Sequence, residues 1–542
     1  MAIDTMQLLP SYDQMQVIAD QITRIASYDQ MQVIADQITR IASLQEAAAV
    51  EDTSLSELEQ SLAKRFAAQS NGKVFATKVW HYDVNHTSAG ERMRDSVGLT
   101  CEPSTDTVEG KDDFEAASPI FQWYRCNYTR DADSTARVSC MEESPAYRKT
   151  GAVDIGTLSP TFYWAVENHG TYDVWMISDS EHPELGLVPW VEAVTADGKV
   201  LPYYVDSFGC SVLASDGFPR AQAGSPVYNQ SYNGMITDYQ KKGTGYWGSF
   251  SSRTLLGYIF YIIKYVGKSS QATFAGCSSF NTQVKCALGE TGVTRVLLTS
   301  DNGFYAGACV SVGTAGSGND AGRQQVSMNS FADRVLIKSI EKVTIDSKEY
   351  TALNLDTTKT FDTTTDTYVS SMPCWTGQTD KVIGHHDGSY LSNTDGKHTF
   401  RIKGVEYMNG QAIIDSNVVM ERADAEGLWK QYVAPKGVKH VANAHTGYVL
   451  AGAIPTAASD YWSGDVEVDP STGNFNPCSV GGGDSVGTGD MVWGPQSGAG
   501  TEGELREKYS LGCLGDGRGA GLCSVSCWND FVGAGWSCGS CD

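Results

Sequence analysis

No apolar run in this 542-residue chain is long enough to cross a bilayer. The longest, Thr254-Leu-Leu-Gly-Tyr-Ile-Phe-Tyr-Ile-Ile-Lys-Tyr-Val, falls short of the roughly 20 residues hydrocarbon demands and carries Lys264 inside it. It reads as a buried core helix. The opening Met1-Ala-Ile-Asp-Thr-Met has no basic region leading into an apolar core, so no secretory signal is visible and synthesis in a reducing cytoplasm is expected. Positive charge is scarce: 40 Lys and Arg stand against 64 Asp and Glu, a net charge of −24. Phosphate backbones and anionic lipid would both repel that mean field, which argues against nucleic acid and membrane insertion. The glycine strings Gly481-Gly-Gly-Asp and Gly515-Asp-Gly-Arg-Gly-Ala-Gly lack the Gly-Lys-Ser/Thr of a phosphate loop and read as turns. No catalytic triad or paired-carboxylate motif stands out, and an enzyme is not expected. His385-His386 beside Asp387 suggests a metal pair, but adjacent residues on a strand point opposite ways, so a loop is expected there. No metal and no cofactor are expected.

What is present is a β-leaning composition: 19% charged residues, 56 Gly and 10% aromatics. The length suggests two to four units. The N-terminus holds a perfect tandem repeat, residues 11–26 and 27–42, in which Met15, Ile18, Ile22 and Ile25 (then Met31, Ile34, Ile38 and Ile41) form an amphipathic seam. A sixteen-residue period does not fit whole heptads, so the second seam is rotated against the first. Ser54-Leu-Ser-Glu57 resembles a capping box that opens a helix through Leu55, Leu58, Leu62 and Phe66, ended by Gln69-Ser-Asn-Gly72. Residues 1–72 are thus expected to be a helical attachment or oligomerisation segment, with a solvated helical spacer as the plainer alternative.

From Val74 onward short β-branched and aromatic runs predict strands, among them 161–166, 172–177 and 294–299. Glycines at 312–318 lead into Arg334-Val-Leu-Ile-Lys-Ser-Ile-Glu-Lys-Val-Thr-Ile and a Thr-rich segment at 357–367, which reads as an inserted β element over 314–398. Strands return at 399–421, and a Gly-rich loop at 479–503 precedes the tail. Fourteen cysteines without an export signal read as buried thiols. Cys523-x3-Cys527 with Cys538-Gly-Ser-Cys541 has the spacing of a four-thiolate zinc site, and Cys538-x-x-Cys541 alone that of a redox pair. The simpler reading is that Cys is one of several interchangeable small residues in this tail.

The tail, Ser510-Leu-Gly-Cys-Leu-Gly-Asp-Gly-Arg-Gly-Ala-Gly-Leu-Cys-Ser-Val-Ser-Cys-Trp-Asn-Asp-Phe-Val-Gly-Ala-Gly-Trp-Ser-Cys-Gly-Ser-Cys541, resembles the C-terminal variable region of diversity-generating retroelement target proteins. That family includes the major tropism determinants of phage tail fibres. Upstream blocks such as Glu91-Arg-Met-Arg-Asp-Ser-Val-Gly-Leu-Thr, Val174-Trp-Met-Ile-Ser-Asp, Gly243-Thr-Gly-Tyr-Trp-Gly and Lys397-His-Thr-Phe-Arg-Ile-Lys-Gly-Val-Glu look like phage and prophage tail proteins of the same type. The resemblance covers roughly residues 75–542.

It implies an α+β, C-type-lectin-like fold of the kind shared with formylglycine-generating enzymes. The body would run over 73–313 and 399–542 around the β-rich insertion at 314–398, with a variable region at 510–541. The implied framework is Gly512, Gly517, Ala520, Gly521, Leu522, Val525, Asn529, Trp536 and Gly539. The implied ligand-binding face is Asp516, Arg518, Ser524, Ser526, Trp528, Asp530, Phe531, Gly533, Ser537 and Ser540, with Phe531 and Trp528 as anchors. Most tail positions outside the frame hold Gly, Asp, Ser, Cys or Phe, all reachable from an Asn codon by changing adenines alone; Trp528 is not. Trp528-Asn-Asp530 matches a calcium and sugar motif of animal C-type lectins, but no Glu-Pro-Asn accompanies it, so calcium-independent binding is expected.

The function implied is that of a tail adhesin of the virion, made in the host cytoplasm, binding a bacterial surface protein or glycan. The N-terminal helices would dock to phage tail proteins. A homotrimer would suit a fibre tip, although the broken seam does not specify one. The alternatives are a fixed structural tail or baseplate component, or a formylglycine-generating-type oxidase, which would need a reactive Cys pair in a cleft with a lowered pKa or bound copper.

Overall fold

The computed structural model describes residues 55–315, 325–423, 428–441, 443–455, 460–494, 502–535 and 537–541. The tandem repeat at 11–42 therefore lies outside the described residues, as does Trp536. The chain divides into two units, Met1–Ala68 and Gln69–Asp542, four residues before the expected boundary at 72.

The helix Glu57–Gln69, which lies almost wholly in the first unit, is capped two residues later than the sequence suggested. The capping box is Ser56 and Glu59, not Ser54 and Glu57: the Glu59 N–H donates to Ser56 Oγ at 3.2 Å, and the Ser56 N–H donates to Glu59 Oε2 at 2.7 Å. Two phases of Ser-x-x-Glu/Gln-like spacing overlap in this segment, and the one that satisfies both amides sets the start. Leu62 and Phe66 are buried, as their spacing implied.

The second unit is α+β, and among the described residues strand (36%) outweighs helix (14%), in line with the composition. Its centre is the helix Ser251–Tyr265, buried over every residue from Ser251 to Lys264. A helix apolar around its whole circumference has to be enclosed. It is covered by the strands Val74–Trp80, Tyr172–Ser178, Ala412–Arg422 and Asn474–Pro477. Its first turn has no side-chain cap of its own; instead Asn417, reached through an irregularity between Ile414 and Val419 in the neighbouring strand, accepts the Ser251 N–H at 2.9 Å. Gly257 lets the Tyr407 ring close on the helix, since a Cβ there would sit 2.7 Å from Tyr407 Cζ.

The unit contains four larger sheets, and the first and last of these contribute strands that pack on the helix. A five-stranded sheet runs in the order Val188–Pro189, Tyr163–Asn168, Tyr172–Ser178, Val74–Trp80, Glu91–Arg94, and a four-stranded sheet is built from residues 124–207. A six-stranded sheet overlaps the expected insertion at 314–398 but has different bounds. Its six strands extend from Gln283–Lys285 to Tyr368–Ser371, so the anticipated break at 313/314 falls at the end of one of its own strands, Cys309–Gly313. Gly313, the first of the glycines at 312–318, ends a strand of the sheet rather than marking its entrance. Residues Gly388–Ser389, placed by the sequence in the insertion, pair instead with Phe400–Ile402 of the body. The last large sheet orders Val449–Ile454, Trp429–Val433, Ala412–Arg422, Leu505–Ser510, Val525–Ser526, Met491–Trp493 and Tyr461–Trp462, and it carries the tail. Among the described residues no helix is long and apolar enough to cross a membrane.

Candidate functional site

The C-terminal thirty residues are sewn into the body at three places. Val525 pairs with Ser510 and, in parallel, with Val492; Cys538 and Gly539 pair in parallel with Ala412 and Ile413. Leu514 joins the core under the six-stranded sheet, Leu522, Cys523, Val525, Cys527 and Cys541 join the central core, and Phe531 joins a third cluster with Tyr232 and Tyr509. Each fully buried leucine contributes about 1.5–3 kcal/mol, so the tail is held by its own side chains and not only by its ladders.

Backbone geometry fixes the path between these anchors. Gly512 adopts φ +74°, the left-handed region, and a Cβ there would meet Ala520 Cβ at 2.8 Å. Gly521 passes so close to Asp490 that a Cβ would lie 1.9 Å from Oδ1. That approach serves a purpose: Asp490 Oδ2 accepts the Cys523 N–H at 2.7 Å and Oδ1 accepts Gln271 Nε2 at 3.0 Å. Gly517 and Gly539 sit at the 3-10 turn and in the parallel pair, and Leu522, Val525 and Ala520 are buried. Asn529 donates through Nδ2 to the Tyr509 hydroxyl at 3.1 Å.

Between these anchors the chain lines a cavity of about 480 Å³, with walls from Trp493, Tyr509, Asp516, Ser526, Trp528, Asn529, Gly533 and Ser537. Trp528 is 45% exposed and Val532 68%. Arg518 and Asp530 are exposed but are not among the lining residues of this cavity; Arg518 faces Asp484 at 3.1 Å, and the Asp530 carboxylate accepts the N–H groups of Val532 and Gly533, closing a turn. Asp516 accepts the Cys513 N–H at 2.6 Å, yet burial pushes its carboxyl up.

Three of the expected contact residues are not on this face. Phe531 is only 5% exposed, its ring edge-on to Tyr232 at a centroid distance of 4.9 Å. It anchors the loop, and burying that much apolar surface wins over display. Ser524 is fully buried with Oγ donating to the Gly519 carbonyl at 2.8 Å, and Ser540 is fully buried with Oγ accepting the Ser249 N–H at 3.0 Å. In both, the hydroxyl satisfies a backbone group that strand pairing leaves open. Conversely, Trp493 and Tyr509 were missed. They reach the cavity only because Trp493 pairs with Ser526 and Tyr509 with Ser526 from the other side, a register no local pattern displays. Val532 could have been found, since the Asn-Asp-Phe-Val-Gly turn exposes one of its two apolar residues.

The frame and the face should therefore respond differently to mutation. Leu522→Ala is expected to cost about 2–5 kcal/mol, and Arg518→Ala to stay within about 0.5 kcal/mol, both read by denaturant unfolding. Equal effects would mean the tail is not divided in this way.

Behind the cavity, Glu507 accepts the Tyr509 hydroxyl at 2.6 Å, and burial raises its carboxyl to about 8. A raised folded-state value means the folded protein holds the proton more tightly than the unfolded chain. The stabilisation is complete below the unfolded carboxyl value and is lost as pH rises towards about 8, at no more than about 1.4 kcal/mol per pH unit. Glu507→Gln keeps the acceptor for Tyr509 and removes the charge. It is expected to raise the thermal midpoint at pH 8 and leave it unchanged at pH 4, as followed by circular dichroism; the same difference at both pH values would remove Glu507 as the cause.

Donor clusters elsewhere differ from the spacing-based zinc reading. Among the described residues, His, Cys and carboxylate donors converge in threes at Cys101, Asp112 and Asp387, and at Asp112, Glu115 and His386, not at the four tail thiols. Cys541 lies against Cys210, with the sulfurs 2.7 Å apart. Lys264 Nζ stands 2.5 Å from both Asp112 and Asp387, so an ammonium already neutralises the first cluster. His385 and His386 lie in a loop and diverge, the one against Trp123 and the other 3.6 Å from Glu115. A larger cavity of about 560 Å³ lies between Val188–Ala196 and Pro470–Thr472; its Glu192 and Lys436 already pair at 3.4 Å, and burial lowers His440 to about 3, leaving it neutral.

No protein-family model matches the chain, and no curated protein matches it.

Proposed function

We propose that this chain is a non-catalytic receptor-binding protein, an adhesin of a phage or prophage tail with a C-type-lectin-like body, presenting the 513–541 face to a protein or glycan on a bacterial surface. The observation that carries this reading is the division within one short segment. Gly521, Leu522 and Val525 are buried and Gly512 is held by its close approach to Ala520, while Asp516, Ser526, Trp528, Gly533 and Ser537 line a cavity of about 480 Å³, and Arg518 and Asp530 are exposed. A rigid frame under variable side chains binds with little ordering entropy lost, and it tolerates substitution because the core does not change. The small polar residues on the face are those that adenine rewriting of Asn codons produces, the signature of retroelement diversification.

The N-terminal segment docks the protein to the tail, where the virion carries it. The oxidase alternative is less well supported: of the thiol pair it would use, Cys210 and Cys541, Cys541 lines a crevice of only about 10 Å³, with no room for a peptide substrate.

The deciding experiment is to sequence the DNA flanking the gene. A near-copy of the codons for 510–541 differing at adenines, beside a reverse transcriptase, is the expected result. Its absence, together with unchanged cell binding when the tail is replaced, would leave a fixed structural component.

A further inference from the structure

The last cysteine of the chain and one in the body are held together by more than their own contact. Cys541 Sγ and Cys210 Sγ are 2.7 Å apart, both buried, and separated by 331 positions in sequence. Their flanks are pinned on each side. The Ser211 N–H donates to the Ser540 carbonyl at 3.1 Å, the Thr376 hydroxyl donates to the Cys210 carbonyl at 2.6 Å, and the Ser249 N–H donates to Ser540 Oγ at 3.0 Å. Ahead of them, Cys538 and Gly539 are fixed beside Ala412 and Ile413. The two backbone segments cannot separate without breaking several of these bonds.

We propose that Cys210 and Cys541 form a disulfide when the protein meets a peroxide-class oxidant, closing the C-terminus covalently onto the body. The surroundings supply the chemistry. A crevice of about 10 Å³, the size of a single small molecule such as water, touches Cys541 together with Arg253, Asp206 and Phe250. Burial opposes ionisation of Cys541, but the hydrogen bond from Cys210 and the Arg253 guanidinium outweigh it and hold this thiol below its usual value, while its partner and burial push Cys210 up. Cys541 is thus the nucleophile and Cys210 the resolving thiol.

The Cys541 thiolate attacks one peroxide oxygen, the O–O bond breaks, and hydroxide leaves to become water; the product is a sulfenic acid. Cys210 then attacks the sulfenic sulfur, its proton goes to the departing oxygen, and a second water leaves. Two thiols lose two electrons and two hydrogens in total, and one peroxide becomes two waters. Cys277 and Cys374 form a second buried, hydrogen-bonded thiol pair.

A closed loop of this length restricts the unfolded chain strongly, and tail opening is the motion it would suppress. The proposal does not depend on what the tail face binds. The test is to expose the reduced full-length protein to hydrogen peroxide, alkylate it under denaturing conditions and map the peptides by mass spectrometry. A cross-linked pair containing Cys210 and Cys541, two hydrogens lighter than the sum of its parts, is expected. The thermal midpoint should rise on oxidation, and the rise should vanish in C210S and in C541S. Recovery of both cysteines as alkylated thiols, or linkage of Cys541 to Cys538, would overturn it. If either variant fails to fold, the wild-type peptide map still decides.

Discussion

Lys264→Met is expected to destabilise the body by about 3–5 kcal/mol, because it strips the counter-charge from two buried carboxylates at once. Lys264 sits near the end of the central helix with its side chain about 1% exposed, and Asp112 and Asp387 flank its Nζ at 2.5 Å each. Both carboxylates are tied down independently: Asp112 Oδ1 accepts the Phe114 N–H at 3.0 Å, and Asp387 Oδ1 accepts the Lys403 N–H at 2.9 Å. Neither can rotate out to water when the ammonium is gone. Burial, then the charge on Lys264, holds Lys403 well below the usual lysine range. Removing Lys264 lets Lys403 take a proton and recover part of the interaction with Asp387. The loss should therefore fall with decreasing pH. Adding Asp112→Asn and Asp387→Asn to Lys264→Met, which keeps both acceptors and discards both charges, is expected to restore most of the stability in urea unfolding. Failure of that triple variant to recover would mean that packing of the lysine stem, not charge, dominates the site.

The same lysine shows how far the sequence could be read. The run around it announced a buried helix, because an apolar stretch too short for a membrane must be enclosed, and its enclosure from Ser251 to Lys264 follows. The two aspartates that make the charge tolerable lie 152 and 123 positions away, joined by no motif. Strands with strong β-branched runs, such as Tyr172–Ser178 and Ala332–Ile345, were legible within a residue or two. The boundaries of the six-stranded sheet were not, since glycines mark turns within a sheet as readily as junctions between sheets. In the tail, the glycine and leucine frame was legible because its residue types have one physical use each: close approach for Gly521 and burial for Leu522. Serine and phenylalanine carry two uses. Ser524, Ser540 and Phe531 went inward, where Oγ could satisfy a backbone group or a ring could fill a core, and only the sheet pairing decides between those uses.

Trp528→Ala is expected to weaken binding to bacterial cells by at least about 30-fold, the loss of about 2 kcal/mol that truncating a central aromatic anchor brings. With Phe531 buried against Tyr232, Trp528 is the remaining large aromatic that the tail itself exposes among the described residues, at 45%, and it stands at the cavity wall opposite polar groups. Its backbone carbonyl is held by Arg506 Nη1 at 3.2 Å, so the indole is presented from a fixed point and surrenders little entropy on contact. Phe531→Ala should also reduce binding, but through the fold: its loss ought to appear first as a drop of about 3–5 kcal/mol in stability, whereas Trp528→Ala should leave the unfolding midpoint nearly unchanged. Titrating labelled full-length protein onto a panel of intact bacterial strains, with thermal unfolding measured on the same preparations, separates the two effects. A Trp528→Ala protein that is fully folded and binds as tightly as the parent would move the contact surface away from this cavity and take the proposed function with it.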